Sequence, residues 1–134
     1  MLKQIEVDAQ EEALRSRTAA LPDAQRQAFY QLVKDQLKDP DTYAALNWFF
    51  VAGLHHFYLQ QWRHGLLNIL SFALGVALLF TSVWLTGIVL IMLVSIYEFY
   101  QLFRAQIIVQ DWNNQLMNRL LDSGDYLKQQ ADHL

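Results

Sequence analysis

"GLLNILSFALGVALLFTSVWLTGIVLIMLVSIYEFYQLF", residues 65–103, runs for 39 residues with Glu98 as its one charged side chain. A hydrocarbon layer asks for about 20 apolar residues per helical crossing, so the stretch is far too long for one crossing and suited to two. Within it, "FTSVWLTG" (80–87) reads as the turn. Thr81, Ser82 and Thr86 can satisfy backbone groups freed where a helix ends, and Trp84 suits headgroup depth. The expectation is a helical hairpin with arms at about 65–81 and 84–103. Gly75, Ala77 and Gly87 are small enough to let the arms approach closely.

The surrounding charge pattern has the same meaning. Between Asp41 and Glu98 the only formally charged residue is Arg63, whereas residues 1–41 carry six Lys/Arg and eight Asp/Glu. A helix that is apolar all round can also lie in the core of a large soluble protein. A 134-residue chain has no second layer large enough to cover so many apolar side chains. The chain therefore reads as an all-α integral membrane protein whose first partner is the lipid bilayer. "MLKQIEVDAQEEALRSR" carries both charge signs and no apolar centre, unlike a secretory signal. The absence of cysteine excludes disulfides, thiolate catalysis and Cys-based metal centres. A net charge of -3 gives no pull toward nucleic acid, and none is expected as a partner.

A further apolar segment precedes the hairpin. Tyr43 to Leu59 is 17 residues, about 25 Å as a helix against a layer of about 30 Å, and so a marginal span. Trp48, Phe49, Phe50, Phe57, Tyr58 and Trp62 crowd it, and Trp and Tyr prefer the interface. If all three segments cross, Arg26, Lys34 and Lys38 on one side balance Arg63, Arg104 and Arg119 on the other. If 43–59 dips in or lies along the surface, every charged segment falls on one side, and the positive-inside tendency makes that side cytoplasmic. The second arrangement is the expectation, with a cytoplasmic N-terminal segment in either case.

The flanks, residues 1–41 and 105–134, read as polar or amphipathic helices around the membrane domain at 42–104. Residues 7–20 are good helix formers with few large apolar side chains, which predicts a loose helix. Leu21-Pro22-Asp23 starts a second helix, with Ala28, Phe29, Leu32, Val33 and Leu37 on one face, docked on the protein itself or on headgroups. "KDPDT" breaks it, with Asp41 or Thr42 placed to cap the next helix. After Arg104, the residues Ile108, Trp112, Leu116 and Leu120 recur in steps of four, and Ser123-Gly124 ends that helix.

"GLHHFYLQQWRHG" (53–65) joins the marginal segment to the hairpin. In its context, "WFFVAGLHHFYLQQWRHGLLNIL" (48–70), it resembles the TM2 domain family, whose motif is a glycine, Gly-x-[Asp/His]-Arg-Phe-Tyr-Leu-Gly-like residues, a small turn and an apolar segment closing near an acidic residue. Gly53, His55, Phe57, Tyr58, Leu59 and Gly65 match by position, His56 stands where arginine is usual, and Gln60 where glycine is usual. Glu98 takes the place of the terminal acidic residue, at a longer spacing that the extra helix accounts for. "LPDAQRQAFYQL" and "VQDWNNQL" are similar to the flanks of bacterial members. The likeness covers about residues 21–121. It implies a membrane location, in bacteria the inner membrane, and carries no enzymatic activity.

His55, His56, His64 and Glu98 are potential metal ligands. Adjacent helical histidines point about 100° apart and so face one ion poorly, and no metal or other cofactor is expected. Histidines at a membrane boundary more often sit half-solvated or hydrogen-bond to backbone freed by a turn. Ion conduction could use ionisable groups at membrane depth, but Glu98 lies six residues before Arg104, near a helix end open to water. A structural partner, Arg63 or a motif histidine, is the simpler account. No serine or threonine stands near a plausible base, and no glycine-rich phosphate cradle occurs, so the chain is not expected to be an enzyme. Two classes remain. In one, the chain is a membrane adaptor or regulatory subunit that contacts another membrane protein or itself. Its contact residues are Gly53, His55, His56, Phe57, Tyr58, Leu59, Trp62, Arg63, Gly65 and Glu98. In the other it is an oligomeric pore or transporter subunit built on Glu98, Asn68 and the histidines. The polar groups at 66–97 are few, which favours the adaptor.

Overall fold

The computed structural model describes residues 2–48 and 53–132, with side chains through Lys128. Every secondary-structure element among them is a helix: α1 Gln4–Ala19, α2 Asp23–Lys34, α3 Pro40–Trp48, α4 Leu54–Tyr58, α5 Trp62–Leu78, α6 Trp84–Phe103, α7 Ala105–Ser123 and α8 Asp125–Asp132. The chain forms two compact units, Met1–Lys38 with Ile107–Leu134 and Asp39–Gln106.

In the second unit the anticipated helical pair is present as α5 and α6. The turn is shorter than 80–87, because α5 ends at Leu78 and α6 begins at Trp84. Thr81 manages the break: its hydroxyl donates to the Leu78 carbonyl at 2.8 Å and accepts from the Val83 amide at 3.3 Å. Close approach rests on two glycines. A Cβ on Gly87 would lie 2.6 Å from the Gly75 carbonyl oxygen, and one on Gly75 would lie 2.7 Å from Ile91. Backbone meets backbone at that level, and there is no room for a methyl group. α6, with 20 residues and a mean hydropathy of 1.7, is long and apolar enough to cross a membrane; α5 is apolar but has 17 residues. On both, the large apolar side chains face outward: Leu66, Leu70, Leu74, Leu85, Met92 and Ile96 are each more than half exposed.

The segment before the hairpin is not one helix. α3 has nine residues and α4 five, about 14 Å and 8 Å long. Gly53 between them has φ +55°, a left-handed conformation that no continuous α-helix can contain. The expected 17-residue helix is thereby corrected; Phe49 and Phe50 lie outside the described residues. The cap is corrected as well. Pro40 takes the first helical position, so Asp39 is the residue whose carboxylate accepts from the Thr42 amide at 2.7 Å and the Thr42 hydroxyl at 2.8 Å. These bonds hold its pKa below the usual aspartate value. The Asp39 amide donates to the Tyr58 hydroxyl at 2.9 Å, tying the start of α3 to the end of α4.

In the other unit, α2 buries Ala28, Phe29 and Val33 against Tyr126, with Leu32, Met117, Leu120 and Leu121 around them. The amphipathic helix is thus docked on its own protein. Leu37 falls beyond its end and is exposed. α8 was not anticipated; Gly124, at φ +67°, ends α7 as expected and reverses the chain into it. In α7 the buried positions are Ile107, Val109, Asn114 and Leu116, while Ile108, Trp112 and Leu120 are half-buried. The loose helix expected at 7–20 is in fact regular and longer. Its stripe of Val7, Leu14 and Thr18 is buried, and polar contacts replace the missing apolar ones. Asn114 donates to the Val7 carbonyl at 2.9 Å, Gln110 to Glu11 at 2.6 Å, and Arg17 reaches Asn118 at 2.8 Å and Asp122 at 2.6 Å.

Two measurements on detergent-purified protein check this description. Gly87→Ala should lower stability by about 1–3 kcal/mol, the usual cost of overpacking; a melting curve unchanged from wild type would refute the backbone contact. Asp39 is a carboxyl with a depressed folded pKa, so its cap contributes above the unfolded pKa and is lost as pH falls through the folded one. Asp39→Asn keeps a capping side chain without the titration, and its acid unfolding profile should be flatter than wild type over that window.

Candidate functional site

The residues that stood out in 53–65 meet Glu98 inside the second unit. Gly53 turns the chain into α4 in the left-handed conformation, and a Cβ there would lie 3.1 Å from the Asn68 amide nitrogen. Gly65 provides the seat: an added Cβ would fall 2.8 Å from the ring of Phe57. That ring, edge-on to Trp62 at 5.1 Å, sets α4 on the first turn of α5. Leu59 is buried beneath, and Tyr58 holds the Asp39 amide. Trp62 and Arg63 are exposed. Gln60 is the one described non-glycine residue with positive φ, at +59°.

So placed, α4 covers Glu98. Glu98 is 1% exposed, His55 2% and His56 3%. His55 Nε2 lies 2.8 Å from Glu98 Oε2 and His56 Nε2 lies 3.5 Å from Glu98 Oε1. Asn68 donates its side-chain amide to Oε1 as well. Asn47 donates to the Glu98 backbone carbonyl at 3.2 Å. Tyr43 packs its ring edge-on to His55 at 5.2 Å and donates its hydroxyl to Gln101 at 2.9 Å. α4 and α5 therefore meet the carboxyl group that α6 carries, while α3 meets the same residue at its backbone carbonyl.

Three expectations change. The histidines are not half-solvated, because α4 folds inward over α6. Water does not bathe Glu98, although it is near the end of α6. Nor does the 100° between adjacent helical positions separate the two histidines. The imidazole rings turn toward each other, with centroids 4.1 Å apart, and each takes a different oxygen of the same carboxylate. The expected partner of Glu98 is a motif histidine; Arg63 is exposed instead. Asn68 had a place only in the pore reading, and Tyr43, Asn47 and Gln101 had none. Their signal was available, since amides and a hydroxyl inside an apolar run must find partners.

Satisfaction is incomplete. His55 Nε2 and Glu98 Oε2 approach to 2.8 Å without a hydrogen-bond alignment, and both are buried with no hydrogen-bond partner, as are His56 Nδ1 and Asn47 Oδ1. An ionised carboxylate in such a place requires a compensating cation or proton. Beside it lies a cavity of about 300 Å³, lined by His56, His64, Asn68 and Glu98 together with Leu67, Ser71, Leu93, Val94 and Tyr97. His64 is exposed, with its ring 6.0 Å from that of His56.

Among protein-family models, curated proteins and solved structures, none matches this chain.

The site carries two predictions. Glu98→Ala leaves two buried imidazoles and the Asn68 amide without their acceptor and should cost at least about 1–3 kcal/mol, measured by chemical unfolding in detergent. Gln60→Gly relieves a left-handed conformation that disfavours side chains and should stabilise by about 1 kcal/mol; a destabilised variant would show that the Gln60 side chain contributes more than its backbone costs.

Proposed function

We propose that this chain is a small, non-enzymatic integral membrane protein of the TM2 type, in which the α5–α6 hairpin anchors an adaptor or regulatory subunit. The observation that carries the membrane part is the exposure of α6. Only 17% of its most apolar window is buried within the protein, where the core helix of a soluble protein is mostly buried. The outward Leu66, Leu67, Leu70 and Leu74 side chains of α5 need a cover of the same kind, and lipid supplies it without a second protein layer. α3 and α4 are each too short to cross, which supports the arrangement in which they stay at one surface with the charged flanks. By the positive-inside tendency that surface is cytoplasmic, and the membrane is the bacterial inner membrane.

Support for the TM2 likeness comes from conformation. Gln60 stands where the motif has glycine and adopts the φ that glycine takes without strain; Glu98, in the acidic position, meets the histidine that matches the motif, His55. The adaptor role rests on the companion unit. α1, α2, α7 and α8 carry polar outer faces, joined to the hairpin by the chain at residues 38–39 and 106–107. The pore reading draws on one observation, the cavity beside Glu98. Beyond the histidines, Asn68 and Glu98, its lining is Leu67, Leu93 and Val94 with only Ser71 and Tyr97 as polar groups, a sparse path for an ion.

The chain lacks cysteine, so single-cysteine labelling in cells and inverted membranes is direct. Gln60→Cys should label from the cytoplasmic side and Ser82→Cys from the opposite side. Labelling of both from one side would refute the hairpin. For the adaptor role, purification in mild detergent followed by mass spectrometry should recover a membrane-protein companion or a homo-oligomer; a monomer without companions would remove it.

A further inference from the structure

We propose that His55, His56 and Glu98 form a binding site for one divalent transition-metal ion, of the zinc or iron(II) class. This goes beyond the anchoring role and does not depend on it. The donor atoms of the three residues all lie within 4.8 Å of one another, buried beneath α4. His55 Nε2 lies 2.8 Å from one oxygen of Glu98 and His56 Nε2 lies 3.5 Å from the other, so both imidazoles and the carboxylate border one small volume.

The second observation is the state of the donor atoms. His55 Nε2 and Glu98 Oε2 face each other at 2.8 Å, both buried and poorly aligned for a hydrogen bond, and His56 Nδ1 is buried without a partner. Buried nitrogens and a carboxylate that converge without a full set of hydrogen-bond partners have donor capacity for an ion. The chemistry selects the ion class: two imidazole nitrogens and one carboxylate suit zinc and the late first-row metals, whereas calcium and magnesium favour sites made of oxygen. Asn68 occupies the outer position. Its amide donates to the carboxylate oxygen nearer His56 and orients that group, as hydrogen bonds to ligating carboxylates do. The neighbouring cavity touches both His56 and Glu98 and supplies an entry path and room for a fourth ligand. An ion here would also join α4 to α6, closing the loop over the hairpin by a bond stronger than packing.

The test uses the full chain in detergent, stripped with a chelator and titrated with cobalt(II) and zinc(II). One equivalent should bind, with the d–d bands of a low-symmetry nitrogen and oxygen site for cobalt, and X-ray absorption of the zinc form should show two imidazoles and one carboxylate. Glu98→Gln and His55→Gln should each weaken binding by more than about 100-fold, beyond the 10–100-fold of outer-shell changes. His64→Ala, at the exposed mouth, should bind within a few-fold of wild type. Absence of stoichiometric binding, a coordination sphere of oxygen alone, or binding that depends on His64 and survives Glu98→Gln overturns the site. The wild-type spectra decide the matter even if a ligand variant fails to fold.

Discussion

A carboxyl group enclosed by helices determines the arrangement of α3 to α6. Glu98 is in the most apolar helix of the chain, and enclosing it without compensation would cost far more than the hairpin gains by packing. The compensation comes from three side chains, both histidines of α4 and Asn68 of α5, while Asn47 of α3 bonds the Glu98 backbone carbonyl. α4 has only five residues, and isolated helices of that length do not form in water, so it depends on tertiary contacts, with Glu98 on one side and the Phe57 and Tyr58 contacts on the other. The polar cluster gives this short element a defined place.

Glycine does the complementary work. At Gly65 the missing side chain is a seat for an aromatic ring; at Gly75 and Gly87 it is a contact between two backbones; at Gly53 it permits the left-handed turn. The three uses are distinct, and each fixes a different relation: loop to helix, helix to helix, and entry into the loop. They also explain why an uncharged, uniformly apolar stretch folds to a definite structure. Leucine and isoleucine side chains facing outward cannot specify how α5 meets α6, whereas a site that excludes even a methyl group can.

Much of the fold was legible in the sequence. Length and the lack of charge disclosed the helical pair, Gly75 and Gly87 disclosed its close contact, and the period of Phe29 and Val33 disclosed the docked face of α2. The pairing of Glu98 with a motif histidine was also readable, because a lone acid in an apolar run requires a partner. What escaped was set by tertiary contacts. α1 looked too poor in large apolar residues to dock, since its bonds to Asn114, Asn118 and Asp122 join positions about 100 residues apart. The cap at Asp39 was assigned two or three residues late because the fixed φ of Pro40 makes it a good first helical residue as well as a helix breaker. The convergence of His55 and His56 was disfavoured by helical angles that describe Cα–Cβ directions and not the reach of an imidazole.

The turn at Thr81 has a consequence for how such a hairpin is made. If the pair crosses a bilayer as proposed, the tip between α5 and α6 is the part carried from one aqueous phase to the other. It holds no charged residue, and one hydroxyl both donates to and accepts from the backbone groups that the turn exposes. Charged groups are the expensive cargo in membrane translocation. With none in the loop, both arms would then partition together as a pre-paired unit, and the charged flanks would stay on the side where they were synthesised.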